Sequence, residues 1–249
     1  MHDELSFLSL IAAPAIGSFL GVIVQRFASP ATILWGRSAC PYCGVRLGAL
    51  DLLPIASWLA LRGRCRRCGV RIGAFYPLIE LAALGVALWS IVATEGWGVW
   101  ASCALGWALL ALAAIDARHH LLPDFLTLPL LLGGLAVNAL FDWQSFAAAA
   151  IGAAAGFLFV VALRAIYDRL RGREGIGLGD AKLLAACGAW VGWNGLPSVV
   201  LAASLGGLLF ALVRAARLGR LSLGERVPFG PFLCAGLWLV WLYGPLALG

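Results

Sequence analysis

Two aspartates carry the strongest chemical signal in this chain of 249 residues. Asp116 follows a long apolar run that closes in LALAAI, and Asp180 follows Gly177 and Gly179 at the start of another apolar run. A carboxylate at a helix C-terminus destabilises the helix by about 0.3–1 kcal/mol, because it lies at the negative end of the helix dipole. Helix stability therefore does not explain the position of Asp116. Two carboxylates that share one proton can activate water and polarise a scissile carbonyl. The pair therefore indicates aspartyl protease chemistry.

Other polar residues near these aspartates are candidates for supporting roles. Asp124 follows a proline at the start of an apolar run, a position that is also typical of ordinary helix capping. Glu80 lies inside an apolar run, where a carboxylate either serves function or pairs with arginines of the preceding loop. We predict that these two acids, Lys182 and the two glycines support the aspartate pair.

Four cysteines form two CxxC pairs, Cys40 with Cys43 and Cys65 with Cys68. Paired CxxC turns bring four thiolates into tetrahedral geometry around one zinc ion. Four protein ligands leave no open position on the metal, so we predict structural zinc. The alternative interpretation is two redox-active or free thiol pairs. The remaining cysteines lie in apolar runs and are predicted to be small buried residues.

The composition decides the class of protein that holds these residues. Apolar residues make up 62% of the chain and charged residues 12%, against about 45–50% and about 25% in soluble domains. A water-soluble globular protein is excluded. The net charge of +6 does not indicate nucleic-acid binding here, because in membrane proteins the placement of lysine and arginine reports topology.

Apolar runs of about 20 residues are long enough to cross a bilayer as helices. The predicted spans are 5–25, 75–92, 97–115, 125–141, 143–163, 181–193, 197–213 and 229–248. Asn194, Gly195 and Pro197 favour a turn between the sixth and seventh spans. With eight spans, all 18 lysines and arginines fall on the cytoplasmic side, and both termini lie on the other side.

These spans predict an all-α polytopic membrane protein of about eight transmembrane helices with a small zinc-binding cytoplasmic loop module. We predict a first transmembrane helix at 1–25, the four-cysteine module at 26–74, and a seven-helix membrane domain at 75–249 that carries the aspartate site. The segment between the CxxC pairs, DLLPIASWLALRGR, lies either on the membrane surface or in the core of the module. Reduced thiols on the cytoplasmic side agree with metal binding.

Several segments together resemble one protease family. DARHHLLPD at 116–124 and GLGDAK at 177–182 resemble the paired motifs of the type IV prepilin peptidases, which are intramembrane aspartyl proteases of the GxGD class. Further similar segments are GSFLGVIVQR at 17–26, the CPYC and CRRC turns, YPLIEL at 76–81 and PFGPFLCAG at 228–236. The resemblance covers nearly the whole chain in the same order. Gly21, Leu52 and Phe75 depart from the family's usual pattern, outside the protease motifs.

The resemblance implies a specific activity and location. Asp116 and Asp180 would be the catalytic pair, cleaving the basic leader of prepilins or pseudopilins after a glycine, at the cytoplasmic face of the bacterial inner membrane. Many members then methylate the new N-terminus with S-adenosylmethionine, which would be a cofactor here if that activity is retained. The expected partners are these substrates and the lipid bilayer, with no nucleic acid.

Two other functions are compatible with parts of the sequence. An ion-coupled transporter also uses intramembrane acids, but it predicts two matching halves with interrupted helices and acids near the midplane. A noncatalytic scaffold with a zinc-binding loop leaves the position of Asp116 unexplained. Leader release by the purified protein distinguishes the protease from both.

Overall fold

Helices make up the regular structure of the chain. The computed structural model describes residues 2–28, 36, 38–141, 143–171, 177–218 and 228–246. These residues contain a short 3-10 turn, Ala49–Leu52, and no β-strand. We label the helices α1 (His2–Arg26), α2 (Ala56–Ala60), α3 (Phe75–Ala93), α4 (Trp97–His119), α5 (Asp124–Phe141), α6 (Trp143–Arg171), α7 (Leu178–Leu218) and α8 (Gly230–Tyr243). The predicted all-α class is confirmed.

The membrane character of the chain is confirmed as well. Within the part of the chain that the structure describes, five helices are long and apolar enough to cross a bilayer, at Phe7–Arg26, Phe75–Ala93, Trp97–His119, Ser145–Leu170 and Leu178–Arg217. Two shorter apolar helices cover Asp124–Leu140 and Gly230–Tyr243. The protein is therefore a multi-pass membrane protein.

The helix ends differ from the predicted spans in places that matter for the site. α4 continues to His119, so Asp116 lies inside its last turn. α7 begins at Leu178, so Asp180 lies in its first turn and does not precede the helix. Parts of the predicted cytoplasmic loops, at 29–35, 37, 172–176 and 219–227, lie outside the described residues, as does the predicted end of the last span at 247–248.

The chain divides into two compact units, Met1–Ala111 and Leu112–Gly249. In the first unit, α1 and α3 pack closely through glycines of α1. A Cβ at Gly17 would lie 2.6 Å from the Cα of Glu80, and one at Gly21 would lie 2.8 Å from the ring of Tyr76. These contacts make the two helices antiparallel, and small residues at such contacts are typical of membrane helix pairs. Trp107 adds a hydrogen bond from its Nε1 to the carbonyl of Ala83 at 3.0 Å.

In the second unit, α7 packs against α6 through glycines. A Cβ at Gly156 would lie 2.6 Å from the carbonyl oxygen of Leu184, and one at Gly152 would lie 2.7 Å from that of Gly188. The two backbones therefore approach each other more closely than larger residues allow.

The α7 helix reverses its direction at Gly192. The backbone there has φ 68° and ψ 177°, a conformation that glycine adopts without steric cost. The contacts of α8 show the reversal, because Asp180 at the start of α7 already interacts electrostatically with Cys234 near the start of α8. The ring of Trp190, before the break, lies 5.0 Å from that of Trp241 near the end of α8. Phe210, after the break, lies 5.6 Å from Phe232 near its start. α7 is therefore a helical hairpin, and its two segments run in opposite directions along α8.

The predicted interruption of this long apolar run is thus present, but two residues earlier than the first residue of the predicted turn. Asn194 and Pro197 lie inside the second segment of α7. Asn138 of α5 donates hydrogen bonds from Nδ2 to the carbonyls of Ala189 at 3.0 Å and Trp190 at 3.3 Å. These carbonyls precede the break and lose partners within the helix, so the asparagine satisfies them.

Candidate active site and metal centre

Asp116 is held by the start of another helix. Its carboxylate Oδ2 accepts a hydrogen bond from the backbone N–H of Gly230 at 3.0 Å, and only 6% of the residue is exposed. Gly230 is the first residue of α8, where backbone N–H groups have no partner within the helix and favour an anion. The unfavourable position of Asp116 at the end of α4 is therefore compensated by the N-terminus of α8.

Asp180 lies near this carboxylate. It stands in the first turn of α7, half-buried, and its charge interacts with that of Asp116. Cys234, one turn into α8, interacts electrostatically with both aspartates and is almost fully buried. The first turns of α7 and α8 and the last turn of α4 thus bring two carboxylates to one place, one buried and one accessible to solvent.

The two glycines before Asp180 have different surroundings. A Cβ at Gly179 would lie 3.1 Å from the Cβ of Leu122, so the glycine allows the connection between α4 and α5 to pack against the start of α7. A Cβ at Gly177 would lie 3.7 Å from the Oδ2 of Asp180, which is ordinary contact. The close neighbour of Gly179 is therefore the side chain of Leu122.

Asp124 and Lys182 form an ion pair. The Nζ of Lys182 lies 2.6 Å from the Oδ1 of Asp124, with 35% and 57% of the two side chains exposed. A pair this exposed contributes about 0.2–1 kcal/mol. The pair joins the first residue of α5 to the first turn of α7, two residues after Asp180. Its position favours a role in positioning that turn.

The four cysteines of the CxxC pairs converge as predicted. Their sulfur atoms all lie within 4.8 Å of one another, and Cys40 and Cys68 are separated by 3.9 Å between the two sulfurs. Tetrahedral zinc with Zn–S bonds of about 2.3 Å places its sulfurs about 3.8 Å apart. The donor set and its spacing therefore fit zinc, which would be held by these four residues alone.

Backbone N–H groups favour the thiolate form at two of the four cysteines, Cys40 and Cys65. The N–H groups of Cys43 and Tyr42 point at the sulfur of Cys40 and lower its pKa to about 6. The N–H groups of Cys68 and Arg67 likewise lower the pKa of Cys65. Thiolates, not thiols, bind metal. The loop backbone is therefore preorganised for a cation.

Glu80 lies in the first unit and holds the four-cysteine loop. Its Oε2 accepts a hydrogen bond from the N–H of Ile55 at 2.7 Å, and the residue is 5% exposed. Within the described residues, this N–H is its hydrogen-bond partner and no arginine forms an ion pair with it. Ile55 has φ 61°, which is unusual for a β-branched residue. The carboxylate thus fixes a strained turn before α2.

Comparison with known proteins now decides the family. The type IV leader peptidase family matches residues 103–212, and the bacterial peptidase A24 N-terminal domain matches residues 11–94. The prepilin leader peptidase/N-methyltransferase of Burkholderia pseudomallei is 44% identical over 94% of this chain and 83% of its own. The chain belongs to the type IV leader peptidase family. The relatives named prepilin leader peptidase/N-methyltransferase from Aeromonas hydrophila and Pseudomonas aeruginosa are 42% and 37% identical, each over 92% of this chain and 87% of its own. No solved structure matches the chain.

This finding confirms the predicted family and places the site residues within it. Asp116, Asp124, Asp180 and Lys182 fall inside the segment that matches the leader peptidase family. Glu80 and the four cysteines fall inside the segment that matches the N-terminal domain. The two matched segments therefore separate the aspartate site from the cysteine site.

One residue in contact with Asp116 was missed by sequence reasoning. Gly230 lies in the segment PFGPFLCAG, which resembles the family, but the sequence did not predict a role for this glycine in the site. A Cβ at this position would lie 2.6 Å from the Oδ2 of Asp116. The sequence does show a glycine at the start of a short apolar helix. The local sequence pattern, however, does not indicate that this glycine contacts a residue 114 positions earlier.

A short internal repeat was also missed. CPYCGVR at 40–46 and CRRCGVR at 65–71 share five of seven residues. The two copies have the same backbone hydrogen bond. The N–H of Cys40 donates to the carbonyl of Val45 at 3.0 Å, and the N–H of Cys65 donates to the carbonyl of Val70 at 2.9 Å. Gly44 and Gly69 both have positive φ, at 67° and 68°. The repeat itself predicts two equivalent metal-binding turns.

Cys43→Ser and Cys68→Ser should each remove the metal from the purified protein. Loss of one of four thiolate ligands opens the site, and structural zinc binding in small modules is worth about 10–16 kcal/mol of folding free energy. Metal content per chain, measured by inductively coupled plasma mass spectrometry, should fall from one zinc to none. Cys103→Ala, at a cysteine buried in α4, should keep the metal. Stoichiometric zinc in both serine variants would contradict the assignment.

Proposed function

We propose that this chain is an intramembrane aspartyl endopeptidase that removes the basic leader peptide from type IV prepilins or pseudopilins. The observation that carries this proposal is the meeting of two carboxylates from α4 and α7, one of them bonded to the first N–H of α8. The family of the chain and the names of its relatives agree with this activity. Nothing in these comparisons supports the transporter.

Asp116 and Asp180 are the proposed catalytic residues. Two carboxylates that interact electrostatically at one site can share one proton, so one of them can accept a proton from water while the other donates a hydrogen bond to the scissile carbonyl. The hydrogen bond from Gly230 fixes the orientation of Asp116. Asp180 lies half-buried beside it, which gives water and an extended peptide access to the pair.

Other residues have proposed positioning roles. The ion pair of Asp124 with Lys182 and the close contact of Gly179 with Leu122 hold the first turn of α7 against the connection between α4 and α5. Gly177 leaves space beside the Asp180 carboxylate. Because Asp180 lies in that same turn, these contacts set its distance from Asp116.

We further propose that the chain crosses the inner membrane eight times, with the peptidase site at the cytoplasmic face. The reversal of α7 at Gly192 supports two crossings in that helix. Counted with the four other long apolar helices and the two shorter ones, this gives eight crossings, both termini outside the cytoplasm, and the lysines and arginines inside. In this topology 1–25 is the first span, 26–74 the cytoplasmic zinc module and 75–249 the peptidase membrane domain.

This location suits the substrate. A prepilin has an apolar helix that remains in the bilayer and a charged leader that remains in the cytoplasm. A pair of carboxylates at the inner interface meets the junction between the two, where the peptide is extended and water is present.

A second activity is proposed from the names of the relatives, which pair leader peptidase with N-methyltransferase. The activity would transfer a methyl group from S-adenosylmethionine to the new N-terminal amine. The four-cysteine site would hold structural zinc in the first unit.

The test is leader release by the full-length protein, purified in detergent or reconstituted in vesicles, with a full-length prepilin as substrate. Mass spectrometry should find the leader as one fragment, cut after the glycine that precedes the apolar helix. A prepilin in which this glycine is replaced by a bulky residue serves as the matched control and should stay intact. An intact wild-type prepilin after long incubation with folded enzyme would contradict the proposal.

A further inference from the structure

The segment between the two CxxC pairs carries exposed apolar residues. Neither the 3-10 turn Ala49–Leu52 nor α2 (Ala56–Ala60) contains a buried residue. Leu50 and Leu59 are 70% and 61% exposed. These residues therefore do not form the core of the four-cysteine module, and of the two positions predicted for this segment the membrane surface remains.

The exposed face of α2 is apolar. Ala56, Leu59 and Ala60 are exposed, and their i, i+3, i+4 spacing places them on one side of the helix. Ser57 and Trp58, which lie between them in the sequence, are half-buried. A helix that faces water normally exposes polar residues and buries its apolar stripe. The arrangement in α2 is the reverse, which is typical of a helix whose outer face contacts lipid.

A hydrogen bond fixes the depth of α2 relative to the membrane. The N–H of Ile55, directly before α2, donates to the Oε2 of Glu80 at 2.7 Å. Glu80 lies about 7.5 Å along α3 from its first residue, Phe75. Because α3 has 19 residues and is about 28 Å long, nearly its whole length is needed to cross a hydrocarbon core of about 30 Å. Side chains of a helix lean toward its N-terminus, so α2 begins beside the first turns of α3, where headgroups meet acyl chains.

The neighbouring helix α1 gives the same level. A Cβ at Gly17 would lie 2.6 Å from the Cα of Glu80, and α1 continues beyond Gly17 to Arg26. Both spans therefore extend past Glu80 toward the surface, α1 by about 14 Å and α3 by about 7.5 Å. An interfacial helix typically buries its apolar face about 5–10 Å into the boundary between headgroups and acyl chains. This range includes the level at which α2 begins.

Three arginines follow α2 in the sequence and lie beside it. Arg62, Arg64 and Arg71 are exposed and line one pocket together with residues of α2. Within the described residues, Arg66 of the same loop pairs with Asp51, whereas none of these three arginines forms an ion pair with an acid. Arginines near an anionic leaflet are attracted to its headgroups. An apolar face and adjacent cations are the two components of an interfacial anchor.

We propose that α2 and these arginines dock the four-cysteine loop on the anionic lipid surface of the cytoplasmic leaflet. The exposed face of α2 contacts acyl chains, and Arg62, Arg64 and Arg71 bind the phosphates of the headgroups. The inference rests on the topology proposed above, which places this loop in the cytoplasm, and it does not depend on the peptidase chemistry. Docking holds the four cysteines close to the membrane surface.

The experiment is photo-crosslinking of the full-length protein in nanodiscs made of equal amounts of phosphatidylcholine and phosphatidylglycerol. The photoreactive amino acid p-benzoylphenylalanine is placed at Leu59 or at Ala60. A third protein carries it at Leu88, an exposed residue of α3, as the reference inside the bilayer. Both positions on α2 should form lipid adducts in mass spectra. Phosphatidylglycerol should exceed phosphatidylcholine among these adducts at least about twofold, because the arginines attract the anionic lipid.

Arginine variants test the charged part of the surface with a matched change in net charge. Arg62→Gln combined with Arg64→Gln should remove the excess of phosphatidylglycerol from the adducts. The control is Arg46→Gln combined with Arg67→Gln, at two exposed arginines outside the pocket, and it should retain the excess. Zinc content and leader release are measured on every preparation, so that folded and active proteins are compared.

Absence of lipid adducts at Leu59 and Ala60, with adducts at Leu88 and leader release present, would overturn the docking and leave the peptidase standing. Adducts to a second copy of the chain in place of lipid would overturn it as well, and so would equal amounts of the two lipids. Loss of the excess in both double variants would contradict the specific role of Arg62 and Arg64. Lipid adducts on α2 without any leader release in wild type would instead contradict the proposed function alone.

Discussion

Replacing Asp116 or Asp180 by asparagine should reduce leader cleavage at least about 10³-fold. Proton transfer by a positioned side chain contributes about 10²–10⁴-fold to enzymatic rates, and each aspartate is needed for its share of the proton transfers. Asparagine has the shape of aspartate but cannot accept the proton from water. The measurement is the initial rate of leader release from a full-length prepilin, with purified variants in the same detergent.

The folded state should survive both substitutions. In the Asp116→Asn variant, the side-chain carbonyl oxygen would still accept the hydrogen bond from the N–H of Gly230, so the junction of α4 and α8 is retained. The Asp180→Asn substitution removes a charge that interacts with Asp116. The midpoint of thermal unfolding should therefore not fall in either variant, which separates catalysis from folding.

The matched control is Asp168→Asn, at an aspartate of the same unit whose Oδ2 lies 3.5 Å from the Nε of Arg164 on α6. It should cleave at the wild-type rate. Cleavage above one tenth of the wild-type rate in either catalytic variant would remove that residue from the mechanism. The noncatalytic alternatives predict a different pattern, in which wild type and variants alike release no leader.

Hydropathy predicted the helices well. In the bilayer the backbone N–H and carbonyl groups of an apolar segment must form hydrogen bonds within the segment, and an α-helix does this. The interruption of α7 was predicted from the charge distribution, since an uninterrupted span would place the last arginines on the side opposite to the other basic residues. Its position was wrong by a few residues. Asn194 and Pro197 favour turns in general, but the actual break needs a residue with positive φ, and Gly192 has φ 68°.

The aspartates themselves could be singled out from the sequence, because a carboxylate beside an apolar helix is costly and stands out. The contacts around the aspartates could not be predicted from the sequence. The hydrogen bond from Gly230 to Asp116 and the ion pair of Lys182 with Asp124 join residues that are 114 and 58 positions apart. Such contacts depend on how helices pack, which the local pattern of a helix does not specify.

The four-cysteine cluster was predicted more completely than the surroundings of the aspartates. CxxC turns carry their geometry within a few residues, so the sequence predicted the convergence of Cys40, Cys43, Cys65 and Cys68. The role of Glu80 was open between support of the active site and pairing with arginines. The structure shows a third arrangement, a hydrogen bond from the backbone of Ile55, because a strained turn of the loop lies over α3.

Gly230→Ala should lower the turnover of leader cleavage about 10- to 100-fold. The added Cβ would lie 2.6 Å from the Oδ2 and 2.9 Å from the Cγ of Asp116, so the carboxylate or the start of α8 must move. A displacement of about 1 Å at a catalytic group can cost about 10²-fold in rate. Because Gly230 acts through Asp116 and does not bind the substrate, kcat should fall while KM changes little.

The control for this substitution is Gly133→Ala in the middle of α5, where the added Cβ would lie 3.6 Å from the ring of Trp190. That distance is ordinary contact, and alanine is favoured over glycine inside a helix by about 1 kcal/mol. Gly133→Ala should therefore keep the wild-type kcat and a similar or higher unfolding temperature. Gly230→Ala with wild-type kcat would show that the hydrogen bond from α8 does not position Asp116 for cleavage. A parallel rise in KM would mean that the start of α8 contacts the substrate directly.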